Sequence, residues 1–172
     1  MLDFFGNLLG ALLGTGAAFL LGTFSERKTR KRQQLEKIKR LKKDIVRNVR
    51  IMKSTDFKSA YYIENFDKVS ILVRDIQSQF NSLELANASL DDELGLMDLA
   101  INPQSLDKLQ QSWFEFRTQY ISKFNNACSK YVNTSSKYNA KEDGKFINAA
   151  KVNLDKKITV YLESLEFIDS LK

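Results

Sequence analysis

Residues 4–24 read FFGNLLGALLGTGAAFLLGTF, a run of 21 residues without a charged side chain. Since an α-helix rises about 1.5 Å per residue, the run spans roughly 30 Å, the thickness of a bilayer's hydrocarbon core. It contains five of the chain's seven glycines, and each glycine costs a helix in water about 1 kcal/mol relative to alanine. In lipid a helix satisfies its own backbone hydrogen bonds. The composition therefore predicts a transmembrane helix rather than a soluble one.

Small residues within this run recur at every fourth position. This glycine ladder consists of Gly6, Gly10, Gly14, Ala18 and Gly22. A four-residue step places the small side chains along one ridge of a helix, where they let two helix backbones approach closely within a membrane. We therefore predict that copies of the chain associate through the ladder as a glycine zipper.

The flanks of the run distinguish an anchor from a cleaved signal peptide. Only Met1, Leu2 and Asp3 precede it, without the positive charge that begins a signal peptide. Residues 26–53 follow it with thirteen Lys and Arg against three acidic residues. Because such basic segments stay on the cytoplasmic side, we expect the N-terminus outside and the rest of the chain in the cytoplasm. The expected location is the bacterial inner membrane.

The basic residues nearest the predicted span are expected to meet the membrane surface. They are Arg27, Lys28, Arg30, Lys31, Arg32, Lys37, Lys39 and Arg40. Anionic lipid headgroups attract such residues by about 1 kcal/mol each, so the lipid bilayer and its headgroups are the expected partners. Nucleic acid is the alternative partner of a basic segment. Membrane topology alone accounts for this charge, so we do not expect nucleic-acid binding.

Long helices are expected in the remaining residues, because Pro occurs once and Gly only twice after residue 22. Apolar residues recur at steps of three and four from Tyr62 to Leu83 and from Ile147 to Ile168, and an aromatic stripe runs from Trp113 to Tyr131. Such stripes are typical of amphipathic helices that pack on one another. We predict no strands, and we predict helices over residues 26–53, 56–87, 89–101, 103–137 and 144–171.

These elements predict an all-α fold in which one N-terminal transmembrane helix is followed by a cytosolic antiparallel helical bundle. The predicted parts are a transmembrane anchor over residues 1–25, a basic juxtamembrane helix over 26–53 and the bundle over 54–172. The juxtamembrane helix carries a thinner apolar stripe, from Leu35 to Met52. It either packs on the bundle as a further long helix or runs on from the membrane as a separate stalk.

The residue inventory excludes most catalytic and metal-binding arrangements. The chain has no histidine and a single cysteine, Cys128, which removes Ser-His and Cys-His catalysis, His-metal sites and thiolate clusters. No phosphate-binding loop of the Gly-x-x-x-x-Gly-Lys-Ser/Thr type occurs. We therefore expect no catalytic residues, no cofactor, no metal and no enzyme activity.

Acidic residues are densest in one segment, at Asp91, Asp92, Glu93 and Asp98. Their oxygens suit a divalent cation. The alternative is favourable charge in the first turn of a short helix that begins near Ser89. We favour this second interpretation, because acidic residues at a helix start are routine and the spacing of a calcium loop is missing.

Two other segments are candidates for binding a ligand. The aromatic stripe around Trp113 could line a pocket, but its helical spacing favours a core, with Cys128 as a small buried apolar residue beside it. The lysines of the polar segment that follows could pair with a nucleotide-type or phosphorylated trigger; they are Lys130, Lys137, Lys141 and Lys145. A solvated helix end and loop is the alternative interpretation of that segment.

The chain consists of a short predicted span, a basic juxtamembrane helix and a compact cytosolic domain. This layout resembles that of small membrane effectors in bacterial abortive-infection defence. These include ancillary membrane proteins of retron and type III CRISPR systems. The resemblance implies an antiviral, membrane-perturbing effector whose cytosolic bundle senses a protein or nucleotide-type trigger. The alternatives are a non-enzymatic membrane-anchored scaffold or adaptor, and a holin-like or toxin protein.

Overall fold

The structure, a computed structural model, describes the backbone of residues 2–55, 66–97, 101–133 and 140–171, and the side chains of residues 23–55, 69–97, 101–130 and 144–171. Within these ranges the chain is helical and has no strand, which confirms the predicted all-α class. The helices are α1 (Leu2–Ser54), α2 (Phe66–Leu96), α3 (Pro103–Gln119), α4 (Asn126–Asn133) and α5 (Ala140–Ser164). A π-helical turn (Tyr120–Asn125) joins α3 to α4, and a 3₁₀ helix (Glu166–Ser170) follows α5.

The chain divides into two compact units, Met1–Lys37 and Ile38–Lys172. In the first unit, residues 2–37 belong to α1, and none of the side chains described there is buried. Within the described part of the chain, no helix is both long and apolar enough to cross a membrane. The predicted span, residues 4–24, falls almost wholly on residues 1–22, whose side chains lie outside that description. The transmembrane helix therefore gains no support from the structure and stays a prediction.

The C-terminal part of α1 belongs to the second unit, where one face of it is buried. Four apolar residues of this face are fully shielded from solvent, namely Ile38, Ile45, Val49 and Met52. This part of α1 lies antiparallel to α5 and the 3₁₀ helix: Lys42 Nζ is 2.6 Å from Asp169 Oδ2, and Lys53 Nζ donates a hydrogen bond to Thr159 Oγ1 at 3.1 Å. Residues 38–54 are thus one of the long helices of the bundle rather than a stalk.

Helices α2 and α3 form an antiparallel pair. The rings of Phe80 and Tyr120 stack with centroids 3.7 Å apart. Farther along α2, and nearer the start of α3, Gln110 Nε2 donates a hydrogen bond to Asp91 Oδ1 at 3.0 Å. Residue numbers rise on one helix as they fall on the other, which is the signature of antiparallel neighbours.

Helices α3 and α5 are also antiparallel. The hydroxyl groups of Ser112 and Ser164 are buried and 2.7 Å apart, and Lys157 Nζ donates a hydrogen bond to Glu115 Oε2 at 2.7 Å. The pairings of α1 with α5, α2 with α3, and α3 with α5 define an up-down-up-down four-helix bundle. This arrangement confirms the predicted antiparallel bundle.

Aromatic residues form the centre of this bundle. Phe116 and Tyr161 have no exposed surface, and their rings lie 5.7 Å apart. Ring contacts connect six side chains in all, namely Phe80, Trp113, Phe116, Tyr120, Phe124 and Tyr161. Stacked and edge-on pairs of this kind add to the stability that burial of apolar area provides. The predicted assignment of the aromatic stripe to the core is confirmed for Phe116, Tyr120 and Phe124, whereas Trp113 is half-buried and the Tyr131 side chain lies outside the described residues.

The π-helical turn keeps this stripe on one face. From Ser112 to Cys128 the buried residues of the α3–α4 segment follow each other at steps of four. In a regular helix of 3.6 residues per turn, each step of four rotates the side chain by about 40°, which would carry Cys128 away from the core. The i→i+5 hydrogen bonds of a π-helix place more residues in each turn, and this removes the drift. Cys128 is therefore buried, as predicted.

The helix boundaries agree with the sequence in part. Asn102 caps α3 as expected, since its Oδ1 accepts a hydrogen bond from the Gln104 backbone N–H at 3.0 Å and Pro103 is the first helical residue. The break predicted before Ser89 is wrong, because α2 continues to Leu96. The predicted loop at residues 139–144 is wrong from Ala140 onwards, where α5 already begins.

Candidate functional site

The basic residues that the sequence assigns to a membrane surface are exposed on α1. They are Arg27, Lys28, Arg30, Lys31, Arg32, Lys37, Lys39 and Arg40. Arg32 Nε lies 3.7 Å from Glu36 Oε1, but both side chains are largely exposed. An exposed pair of this kind contributes less than about 1 kcal/mol, so it does not prevent Arg32 from meeting another anion.

The other predicted binding residues fall mainly outside the described residues. Of the ladder residues Gly6, Gly10, Gly14, Ala18 and Gly22, only the helical backbone is described. The side chains of Lys137 and Lys141 also lie outside the described residues. Lys130 and Lys145 are described and exposed. A polar site that includes all four lysines therefore stays a prediction.

The acidic segment does not lie at a helix start. Asp91 and Asp92 are exposed residues near the C-terminal end of α2, so the predicted favourable interaction with a helix N-terminus is wrong. Within the described residues, no group of three or more His, Cys, Asp and Glu side chains could hold a metal ion. Asp98 lies outside these residues. In the structure, Asp91 instead accepts the hydrogen bond from Gln110.

A groove of about 520 Å³ lies between α2 and α3. Leu90 and Leu109 are buried side chains in its lining, and Trp113 is half-buried there. Leu85 and Ala88 add exposed apolar surface from α2. Trp113 therefore contributes both to the aromatic core and to the wall of a groove. These two roles, which the helical spacing presents as alternatives, are combined in one side chain.

Two polar bridges connect α2 and α3 within the lining of this groove. Arg117 Nε donates a hydrogen bond to Glu84 Oε1 at 2.7 Å, with both side chains partly exposed. The second bridge is the hydrogen bond from Gln110 to Asp91. Each bridge is exposed to solvent, so its contribution to stability is small. The bridges do define the shape of the groove, since they cross from α2 to α3 at two positions along the helices.

Asn87 is a polar residue in the groove lining whose side chain is oriented by a hydrogen bond from the core. The buried Tyr161 donates a hydrogen bond from its hydroxyl group to Asn87 Oδ1 at 2.6 Å. Burial raises the pKa of Tyr161 above its ordinary value of 10.0, so this hydroxyl group keeps its proton at neutral pH. With Oδ1 held by Tyr161, the amide Nδ2 of Asn87 is left with two donors for another partner.

Sequence reasoning singled out Trp113 but missed Asn87 and Arg117. Both are polar residues beside apolar stripes, a position that the solvated faces of any amphipathic helix share. The feature that distinguishes them is the pairing of α2 with α3 and of Asn87 with Tyr161, 74 residues apart in the chain. No spacing within one helix reveals such a pairing.

Cys128 is buried and is not a reactive site. Burial raises the pKa of its thiol group from the ordinary value of 9.0 to about 12. The thiolate is the nucleophilic form of cysteine, and at neutral pH this residue is almost entirely in the thiol form.

Comparisons of the chain with protein-family models, with curated proteins and with solved structures find no match.

Proposed function

We propose that this protein is a single-pass membrane protein of the bacterial inner membrane, with its N-terminus outside and its helical bundle in the cytoplasm. The observation that carries the proposal is the change in character along α1. An uncharged run of 21 residues is followed by basic residues that are exposed in the structure. This order is typical of a membrane anchor whose cytoplasmic flank meets anionic headgroups.

We further propose that the anchors associate through the glycine ladder and that their association disturbs the bilayer. Small residues at every fourth position permit close helix contacts in lipid. Residues 38–54 of α1 are packed within the bundle, and the predicted span belongs to the same helix. In this proposal the bundle receives a signal, and the protein acts as an abortive-infection effector.

The membrane assignment is tested first, by expressing the full chain in a bacterium and washing the membranes with alkaline carbonate. A spanning helix resists this wash, whereas a protein held by charge alone is released. The matched variant is Leu12→Lys/Leu13→Lys, since each lysine at the centre of a span costs about 2.5–3.5 kcal/mol. Retention of the wild type and release of the variant are expected. Release of both proteins would contradict the anchor.

The role of the ladder is tested by comparing Gly10→Leu/Gly14→Leu with Gly16→Leu, which changes the same residue type on the opposite face of the helix. Both variants keep an apolar span, but only the first places bulky side chains on the ladder. Membrane potential and growth are followed during phage infection of cells that carry each protein. Depolarisation by the wild type and the control variant, but not by the ladder variant, is expected. Equal depolarisation by the two variants would remove the ladder from the mechanism.

Chemical crosslinking of the same cells identifies the alternative function. If chemical crosslinking shows association that depends on the ladder while infected cells keep their membrane potential, the protein is a membrane-anchored scaffold. The exposed side chains of Phe114 and Phe146 are the features of the bundle that favour this alternative, since a scaffold needs an accessible binding surface.

A further inference from the structure

We propose that the groove between α2 and α3 binds a small, planar, non-anionic heteroaromatic molecule of one or two fused rings that carries a hydrogen-bond acceptor on its edge. This inference does not depend on membrane attachment, because every residue that carries it belongs to the bundle. The groove's volume of about 520 Å³ is within the range of small-molecule sites, about 300–1,000 Å³.

The polar bridges set the length of the ligand. Glu84 and Asp91 are seven residues apart on α2, and Gln110 and Arg117 are seven residues apart on α3. At about 1.5 Å per residue, the two bridges are separated by roughly 10 Å along the helices. A system of one or two fused rings fits between them, whereas an extended chain or a folded peptide does not.

The apolar lining favours a flat ring. Trp113 is half-buried against Phe80, with their ring planes 16° apart, so its indole is held in place by the core. Across the groove, Leu85 and Ala88 of α2 leave apolar surface exposed. An aromatic ring between these walls contacts an indole that the core already orders, which reduces the entropy cost of binding.

Asn87 supplies the hydrogen bond that gives the site its direction. Its Oδ1 accepts from Tyr161, and within the described residues its Nδ2 has no acceptor. A carbonyl oxygen or a ring nitrogen on the edge of the ligand is the matching partner. A ligand that lacks such an acceptor leaves the Asn87 donors unpaired at the moment when it displaces their water.

The charges of the groove disfavour an anionic ligand. The guanidinium group of Arg117 is already paired with Glu84 at 2.7 Å. Asp91 accepts the hydrogen bond from Gln110 and has no cationic partner in the groove lining. An anionic ligand would face the carboxylate groups of Glu84 and Asp91, and Arg117 balances only one of these two charges.

The experiment uses the full chain in detergent micelles and three probes. Quinazolin-4-one has two fused rings and a carbonyl acceptor, 2-piperidone has the same acceptor without an aromatic ring, and naphthalene has the rings without an acceptor. Trp113 is the only tryptophan of the chain. Its indole N–H therefore gives a single peak in a nitrogen–proton NMR spectrum, and the assignment of this peak is unambiguous. The peak reports on the groove wall.

Two variants and their matched controls accompany the wild type. Ala88→Phe fills the groove from an exposed position, and Ser89→Phe places the same ring on the neighbouring exposed residue outside the groove. Asn87→Asp keeps the Oδ1 acceptor for Tyr161 but removes the amide donors, and Asn81→Asp makes the same change at an exposed position on α2. Circular dichroism confirms that each variant is folded.

We expect quinazolin-4-one to shift the indole peak of the wild type saturably, with naphthalene and 2-piperidone at least tenfold weaker. Ala88→Phe abolishes the shift and Asn87→Asp weakens binding at least tenfold, whereas Ser89→Phe and Asn81→Asp bind like the wild type. A wild-type peak that does not move up to the solubility limit of quinazolin-4-one overturns the site. Equal binding by Ala88→Phe, or by all three probes, overturns it as well, because the probe is then in the micelle or elsewhere on the protein.

Discussion

The ammonium group of Lys151, on α5, donates a hydrogen bond to the main-chain carbonyl oxygen of Lys53, one residue before the end of α1, at 3.4 Å. Lys151 is only 4% exposed, and its Nζ also lies 2.7 Å from Asp155 Oδ1. The last carbonyl groups of a helix have no partner within it, and the helix dipole gives that end a partial negative charge. A buried lysine therefore caps α1 and joins it to α5.

We predict that Lys151→Met destabilises the bundle by about 1–3 kcal/mol, the usual cost of leaving a buried polar group without its partner. Methionine keeps most of the side-chain volume and removes only the donor and the charge. Lys156→Met, at an exposed position of the same helix, is the control. Urea unfolding of the full chain measures both variants. Equal stability of Lys151→Met and the wild type would contradict the capping role.

The assignment of faces on α3 is tested by two neighbouring phenylalanines. Phe116 has no exposed surface and contacts the rings of Phe80 and Tyr161, whereas Phe114 is 65% exposed. Phe116→Ala is expected to cost about 3–5 kcal/mol, through lost burial and the cavity that remains. Phe114→Ala is expected to change stability by no more than about 0.5 kcal/mol.

Thermal unfolding, followed by circular dichroism at 222 nm, measures this difference. A similar loss of stability in Phe114→Ala and Phe116→Ala would show that the exposed face of α3 packs against something that the bundle alone does not include.

The sequence predicts the fold class and the bundle well, because both depend on apolar stripes that repeat within one helix. Ile38 and Ile45 belong to such a stripe and are buried where the stripe predicts. The error at Ser89 has a local cause: Ser89 and Asp92 imitate a capping box, but the buried Leu90 and Leu94 continue the core face of α2 across it. Tertiary packing here overrides a local signal.

The features that the sequence does not reveal depend on two helices at once. Lys151 gives no sign in the sequence that it is buried, since a lysine beside an apolar stripe is usually solvated. The same is true of the Asn87 amide, whose orientation is fixed by Tyr161 from another helix. The groove exists only because α2 and α3 pair, so no pattern within either helix predicts it.

The π-helical turn gives a prediction about chain length. It inserts one residue into the α3–α4 segment, and the exposed Lys123 lies within it. Deleting Lys123 converts the turn to regular α-helix and leaves Tyr120 and Phe124 three positions apart, which still places both on one face. We expect this variant to fold and to unfold cooperatively within a few degrees of the wild type.

Deleting the exposed Lys156 is the control for this experiment. That deletion rotates the rest of α5 by about 100° and turns Ile158 and Tyr161 away from the core. Loss of cooperative unfolding is expected for this variant. If the two deletions are equally harmful, the π-helical turn is not what accommodates the four-residue spacing of the stripe.

Cys128 predicts how stability changes at alkaline pH. Burial raises the pKa of its thiol group from 9.0 to about 12, so the native state keeps a proton that the unfolded chain releases. The stabilising contribution is fully present below pH 9 and is lost as the pH rises from about 9 to about 12, at about 1.4 kcal/mol per pH unit.

Cys128→Val removes the titrating group and keeps a small apolar side chain. The stability of the wild type relative to Cys128→Val should therefore fall by about 1.4 kcal/mol between about pH 8 and about pH 10, as measured by urea unfolding. Cys128 contributes to the raised pKa of Tyr120, but burial is the larger cause and keeps Tyr120 and Tyr161 protonated in both native states over this range, so their titration cancels in this difference. A difference that stays constant over this range would mean that the thiol group is reached by solvent in the native state.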